Sequence, residues 1–159
     1  MGERLWAVFK TLLFTVLLPG SVTVLIPYYL VRPVSWPESA GIGAVGVVLI
    51  ALGATSYLWC AWNFAWVGLG TPAPIDPPRK LVAVGLYRFV RNPMYVAVVS
   101  VLLGEGLIFE SWLLFAYAFI AWTSSHLFVV LYEEPTLRRK FGPQYDEYRR
   151  HVPRWIPKW

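Results

Sequence analysis

A chain of 159 residues with 57% hydrophobic residues, nine Trp and only 14% charged residues has too little polar surface to enclose a core in water. The same figures exclude a disordered or collagen-like chain, and a single cysteine, Cys60, excludes a disulfide-scaffolded secreted domain. The net charge of +5 therefore belongs to a membrane protein, where it reports topology and contact with anionic lipid, and nucleic-acid binding is disfavoured.

Four stretches contain no Asp, Glu, Lys or Arg: Thr11 to Val31 (21 residues), Ser39 to Ile75 (37), Asn92 to Gly104 (13) and Ser111 to Tyr132 (22). A hydrocarbon core of about 30 Å takes about 20 helical residues, so run length converts into spans. The prediction is an all-α membrane protein forming one domain, with spans at about 8–31, 41–66, 93–109 and 111–132, a loop at 67–92 and a tail at 133–159. In the first span Pro19 and Pro27 predict kinks, with Gly20 as the place to bend. The basic start and apolar run resemble a signal sequence, but no small-residue cleavage pattern follows, so a retained anchor is expected.

In the second span small residues recur at Ala40 and Ala44, Gly46 and Gly53, and Ala54, Ala61 and Ala65, which predicts close helix approach. The 37-residue run overshoots this span into Thr71-Pro72-Ala73-Pro74-Ile75-Asp76-Pro77-Pro78, an extended connector. Residues 79–95 mix basic, aromatic and apolar side chains without a clean period and are expected at the cytoplasmic interface before the third helix, with Pro93 in that helix's first turn. The third and fourth helices join tightly around Glu110, and Glu105 lies near the outer interface. In the tail, Leu137, Phe141, Tyr145 and Tyr148 form a helical stripe that Gly142 and Pro143 interrupt, so two short helices are expected, followed by a Trp and Lys anchor at 153–159.

With four spans, both termini, the 67–92 loop and the tail share one face. That face holds every Lys and Arg except Arg32, so it is predicted to be cytoplasmic. Glu133 and Glu134 follow the fourth span directly, where two carboxylates repel each other and the helix C-terminus, and so call for a cation. Pairing with Arg138 is one answer; a cationic small molecule is the other. Arg91 offers a donor for a carboxylate or phosphate, and Tyr87 and Tyr95 offer faces for a heterocycle or cation. No metal-ligating set is visible. His126, two turns before Glu133 on the same predicted helix face, is either a helix-to-helix hydrogen bond or a functional group.

Gly85-Leu86-Tyr87, Val90-Arg91-Asn92-Pro93-Met94-Tyr95, Leu131-Tyr132-Glu133-Glu134-Pro135 and Phe141-Gly142-Pro143-Gln144-Tyr145-Asp146-Glu147-Tyr148 with Val152-Pro153 resemble the isoprenylcysteine carboxyl methyltransferase and phospholipid methyltransferase superfamily over about residues 68–157. The resemblance implies an integral membrane methyltransferase. It further implies S-adenosylmethionine bound from the cytosol between the last helices and the tail, and a lipid or lipidated acceptor entering from the bilayer. Carried over by position, Arg79, Lys80, Leu81, Val82 and Tyr87 stand in the cofactor-contacting loop, and Asn92, Pro93 and Tyr95 in an R-H-P-x-Y element. Glu133 and Glu134 stand for the acidic pair, and Gly68 and Gly70 for a glycine motif. Asn92 replaces the histidine of the isoprenylcysteine branch, and Val129 replaces its substrate-binding arginine, so N-P-M-Y and L-Y-E-E-P sit closer to the phospholipid branch. Either acceptor class remains open at this stage; an amine acceptor needs a base, for which His126 or a Glu is available. Two other readings also stand: an NADPH-dependent membrane reductase related to sterol reductases, and a non-catalytic scaffold or transporter.

Overall fold

The computed structural model describes residues 2–31, 40–69, 71 and 78–157, with the side chains of residues 3, 4 and 40 outside that description. The proline connector at 72–77, Gly70, the loop bearing Arg32 and the final Lys158-Trp159 pair also fall outside it.

The described residues form an all-helical bundle. Helix α1 (Gly2–Leu17) continues through a π turn (Ser21–Leu25) into α2 (Ile26–Leu30). Helix α3 (Ala40–Asn63) ends in a π turn (Phe64–Gly68); a 3-10 turn (Gly85–Arg88) precedes α4 (Pro93–Ile108). Helix α5 (Trp112–Phe128) passes through a third π turn (Val129–Glu133) into α6 (Glu134–Phe141), and α7 (Pro143–His151) follows. Three helical stretches, Leu5–Leu30, Gly41–Gly68 and Trp112–Phe141, are long and apolar enough to cross a membrane, while α4 is a shorter apolar helix. Their outward surfaces carry large apolar side chains such as Val16, Leu17, Trp59, Phe119 and Ile120, all more than half exposed, which a bilayer solvates and water does not.

The closest pairing is α3 against α4. A Cβ added at Gly46 would stand 2.7 Å from the Gly104 carbonyl oxygen, one at Gly104 2.6 Å from that of Gly46, and one at Gly53 2.7 Å from that of Ala97. The small residues of α3 thus let the two backbones touch, as their spacing predicts. Residues Ala97, Leu102 and Gly104 of α4 are buried in consequence. The α4–α5 turn is tight: Glu110 takes φ 44°, and the Ser111 hydroxyl caps α5 by accepting from the Leu114 N–H.

Instead of breaking, the helical path at Pro19 and Pro27 widens into a π turn between them. One carbonyl of that turn, Val22 O, accepts from the Tyr117 hydroxyl at 3.1 Å and so ties the first crossing to α5. The third π turn precedes Pro135, which cannot donate to the carbonyl four residues back. Wider spacing there, with the Glu134 N–H on Val129 O, carries the helix past it. The tail breaks into two short helices at Gly142, φ 53°, with Pro143 opening α7, as expected from the sequence.

Candidate functional site

Roughly 20 residues counted from Trp112 exhaust the apolar crossing near Leu131, which leaves the acidic pair just beyond it. The π turn aims the two carboxylates in different directions. The Glu133 carboxylate accepts from the Tyr95 hydroxyl on Oε2 at 2.9 Å. Its neighbour Glu134 is claimed by two arginines: Arg154 donates from Nε at 2.7 Å and from Nη2 at 2.9 Å, and Arg91 Nη2 lies 3.1 Å from Oε1. Burial pushes the Glu133 carboxyl above the usual carboxylate range; the Tyr95 hydrogen bond offsets this in part and the Glu134 charge adds to it. Burial acts on Glu134 in the same sense, but the Arg154 hydrogen bond and the charges of Arg91 and Arg154 outweigh it and hold that carboxyl below the usual range.

A strap formed by residues 152–157 is laced to the start of α4. The Arg91 N–H donates to Pro153 O at 2.9 Å, and Asn92 Nδ2 to Arg154 O at 3.2 Å. From α7 the Tyr148 hydroxyl donates to Tyr87 O at 2.6 Å. Trp155 Nε1 donates to His126 Nδ1 at 3.1 Å, and the Trp155 ring packs on Trp122 with centroids 4.5 Å apart. The 3-10 turn under the strap is fixed by Gly85: at φ 59° a side chain is strained, and a Cβ would meet Asn63 Nδ2 at 2.6 Å.

Two cavities meet here. A narrow cleft of about 80 Å³ lies between α6, α7 and the 78–92 segment, walled by Leu81, Val82, Glu134, Leu137, Tyr145 and Tyr148 among others. A larger cavity of about 520 Å³ runs into the bundle past Phe14, Leu18, Tyr57, Tyr95, Val98, Tyr117 and Ile120. Phe64, Tyr87, Arg91, Asn92, Phe128 and Glu133 line both, so these six residues form a shared wall.

Of the residues singled out in the sequence, Leu81, Val82, Tyr87, Arg91, Asn92, Tyr95, Glu133 and Glu134 come together around these two spaces. Lys80 is exposed and lines neither. Pro93 opens α4 and faces a separate shallow groove with Leu86, Phe89 and Pro157. His126 lies on the Trp155 side of α5 and lines neither cavity. Gly68 is a point of close approach, where a Cβ would stand 2.9 Å from Pro78 and Val82 side chains, and its carbonyl accepts from the Arg79 N–H. Sequence reasoning did not single out Arg154, Tyr145 or Tyr148 as site residues. Arg154 read as one of many topology-setting cations, and nothing in its spacing shows that it reaches back 20 residues to Glu134.

The donor set suits a zwitterionic ligand that also carries a cation. Arg91 Nε is buried without a hydrogen-bond partner among the described residues, a donor aimed for an anionic oxygen. Glu133 keeps one oxygen uncommitted among the described residues, and Tyr87, Tyr145 and Tyr148 offer ring faces. Residues 42–144 match the family model for phospholipid methyltransferases. Among curated proteins, the chain is 29% identical over 120 residues to the nickel-cobalt-cadmium resistance protein NccN of Alcaligenes xylosoxydans xylosoxydans, covering 76% of this chain and 52% of that protein. The chain therefore spans about half the length of that relative.

Proposed function

The chain belongs to the phospholipid methyltransferase family, and on that premise we propose that it transfers a methyl group from S-adenosylmethionine to an amphiphilic acceptor held within the bilayer. The observation that carries this reading is the shared wall: a narrow cleft and a larger cavity inside the bundle open onto the same two charged residues, Arg91 and Glu133. The cofactor belongs in the cleft, with the unmet Arg91 Nε on its carboxylate, the free Glu133 oxygen near its positive charge and the tyrosine faces around its base. When bound, it supplies a methyl group on a positively charged sulfur.

The protein's tasks are then alignment and exclusion of water. Tyr87 and Tyr95 frame the junction. Glu134 holds Arg91 in place by sharing its oxygens between Arg91 and Arg154. The acceptor's chain lies along Phe14, Leu18 and Ile120, with its head at Glu133. The loops rich in Lys and Arg are assigned to the cytosol, which puts the cleft on the side where the cofactor is dissolved. At about 80 Å³ the cleft is tighter than the roughly 300 Å³ or more of an ordinary small-molecule site, so the strap and α7 must lift for entry.

Two measurements test the reading on the purified full chain. Calorimetric titration is expected to show binding of S-adenosylmethionine and none of NADPH, and labelled methyl is expected to appear in a chromatographed lipid product. Binding of NADPH with no binding of S-adenosylmethionine would overturn it in favour of a reductase.

A further inference from the structure

Helix α7 walls the narrow cleft with Tyr145 and Tyr148, and its two ends are held very differently. At its start Gly142 takes φ 53°, and a Cβ added there meets nothing within 4 Å, so no packing resists a swing about this residue. The Arg138–Asp146 ion pair that spans the turn, at 3.1 Å, is exposed and exchanges readily for water. At its end α7 runs into the strap, where Pro153 O and Arg154 O accept from Arg91 and Asn92, and the Arg154 guanidinium, 33% exposed, holds Glu134. Trp155 makes the tie that water replaces least well. Its Nε1 donates to His126 Nδ1 at 3.1 Å, and its ring lies against Trp122, His126 and Tyr95, with centroids 4.5, 5.9 and 6.4 Å away. For Nδ1 to accept, the proton of a neutral His126 lies on Nε2.

Resting on the methyltransferase reading, we propose that α7 and the strap form a flap over the cofactor cleft, hinged at Gly142 and latched by Trp155 on His126, and that the latched form keeps the cofactor out. At about 80 Å³ the latched cleft cannot hold a molecule that needs roughly 300 Å³ or more. Turning the flap about Gly142 carries Tyr145 and Tyr148 away from the 78–92 segment, breaks the Tyr148 bond to Tyr87 O and widens the cleft. His126 is thereby a positioning residue: it lines neither cavity and acts on the cleft through Trp155. The latch is autoinhibitory. A ligand that fits only the unlatched form binds with its intrinsic affinity reduced by the fraction of the protein that is open, so whatever weakens the latch strengthens binding.

The test compares the full parent chain in phosphatidylcholine nanodiscs with three variants. His126→Phe keeps a ring and removes the acceptor, Trp155→Phe removes the donor, and His126→Asn keeps an acceptor near the Nδ1 position. Brief trypsin digestion without cofactor reads the latch alone, since cleavage after Arg154 requires the strap to leave Glu134 and Asn92. Loss of one hydrogen bond is expected to raise that cleavage rate about fivefold in His126→Phe and Trp155→Phe, with His126→Asn close to the parent. Stopped-flow mixing with S-adenosylmethionine is expected to show association about fivefold faster, and Kd lower by a similar factor, in the same two variants. Simple damage to the site would move both quantities the other way. The proposal is overturned if neither His126→Phe nor Trp155→Phe speeds cleavage after Arg154, if His126→Asn behaves as His126→Phe does, or if the variants with an opened strap bind the cofactor more weakly. A parent chain that binds no S-adenosylmethionine sinks the methyltransferase reading by itself, while the digestion still decides whether His126 latches the strap.

Discussion

Adjacent glutamates with opposite surroundings make opposite demands on stability. Glu134 compensates two arginines, with only 12% of its side chain exposed, so Glu134→Gln strands the largely buried Arg91, while the partly exposed Arg154 can turn to water, and is expected to destabilise the protein by roughly 1–3 kcal/mol. Its folded pKa is depressed, so its contribution is complete above the ordinary carboxylate value of 4.5 and fades as pH falls through the lower folded value. Glu133 carries the reverse sign. With its pKa raised in the folded state, its charge opposes folding at neutral pH, and Glu133→Gln is expected to raise the unfolding temperature. Thermal unfolding of the two single variants at pH 7 checks both; a loss of stability in each would show that Glu133 has a structural cation after all. A charge kept where it weakens the fold is what a working carboxylate looks like. The sequence shows the pair and its electrostatic conflict. It does not show which member finds the arginines, because one partner, Arg154, arrives from a strap 20 residues later.

Helices and turns repeat this division between what is local and what is not. The α3–α4 contact is legible, since Gly46 and Gly53 are spaced to fall on one face, and Gly104 and Ala97 answer them in turn from α4. Gly46→Leu drives a side chain into the Gly104 carbonyl and the Ile108 side chain, and is expected to cost about 1–3 kcal/mol or more, read as a lower midpoint in detergent unfolding. An unchanged midpoint would mean that the pair is looser than described. Pro93 at the first turn of α4 and the break at Gly142 are legible for the same reason: each rests on the chemistry of one residue. The π turns are not legible. A period of 3.6 places His126 and Glu133 on one face, but the turn at Val129–Glu133 changes the register between them. His126 ends up against Trp155 and Glu133 against Tyr95. No residue type announces such a turn, although Pro135 immediately beyond it is a reason for one.

At the level of the whole chain, the charge-free runs fall on the apolar helices, three of which are long enough to cross a membrane while α4 is shorter, and the distribution of Lys and Arg predicts a direction for them. That direction is testable because Cys60 is buried and fully shielded. In a Cys60→Ser background, Lys80→Cys and Gln144→Cys are expected to react with a membrane-impermeant thiol reagent only from the cytosol, and Trp112→Cys, at the far end of the bundle, only from outside. Labelling of Lys80→Cys and Gln144→Cys from different sides would overturn the four-crossing arrangement. The two cavities are beyond sequence reasoning, since they are made by residues from every crossing and the tail.

The six residues common to both cavities have a thermodynamic consequence. If the proposed cofactor and lipid acceptor both press on this wall, any coupling between them is reciprocal: whatever factor the lipid contributes to cofactor affinity, the cofactor must return to the lipid. On that reading, an affinity measured in lipid-free detergent describes only one corner of a linked cycle, and the membrane around the protein becomes a determinant of how tightly it holds a water-soluble molecule.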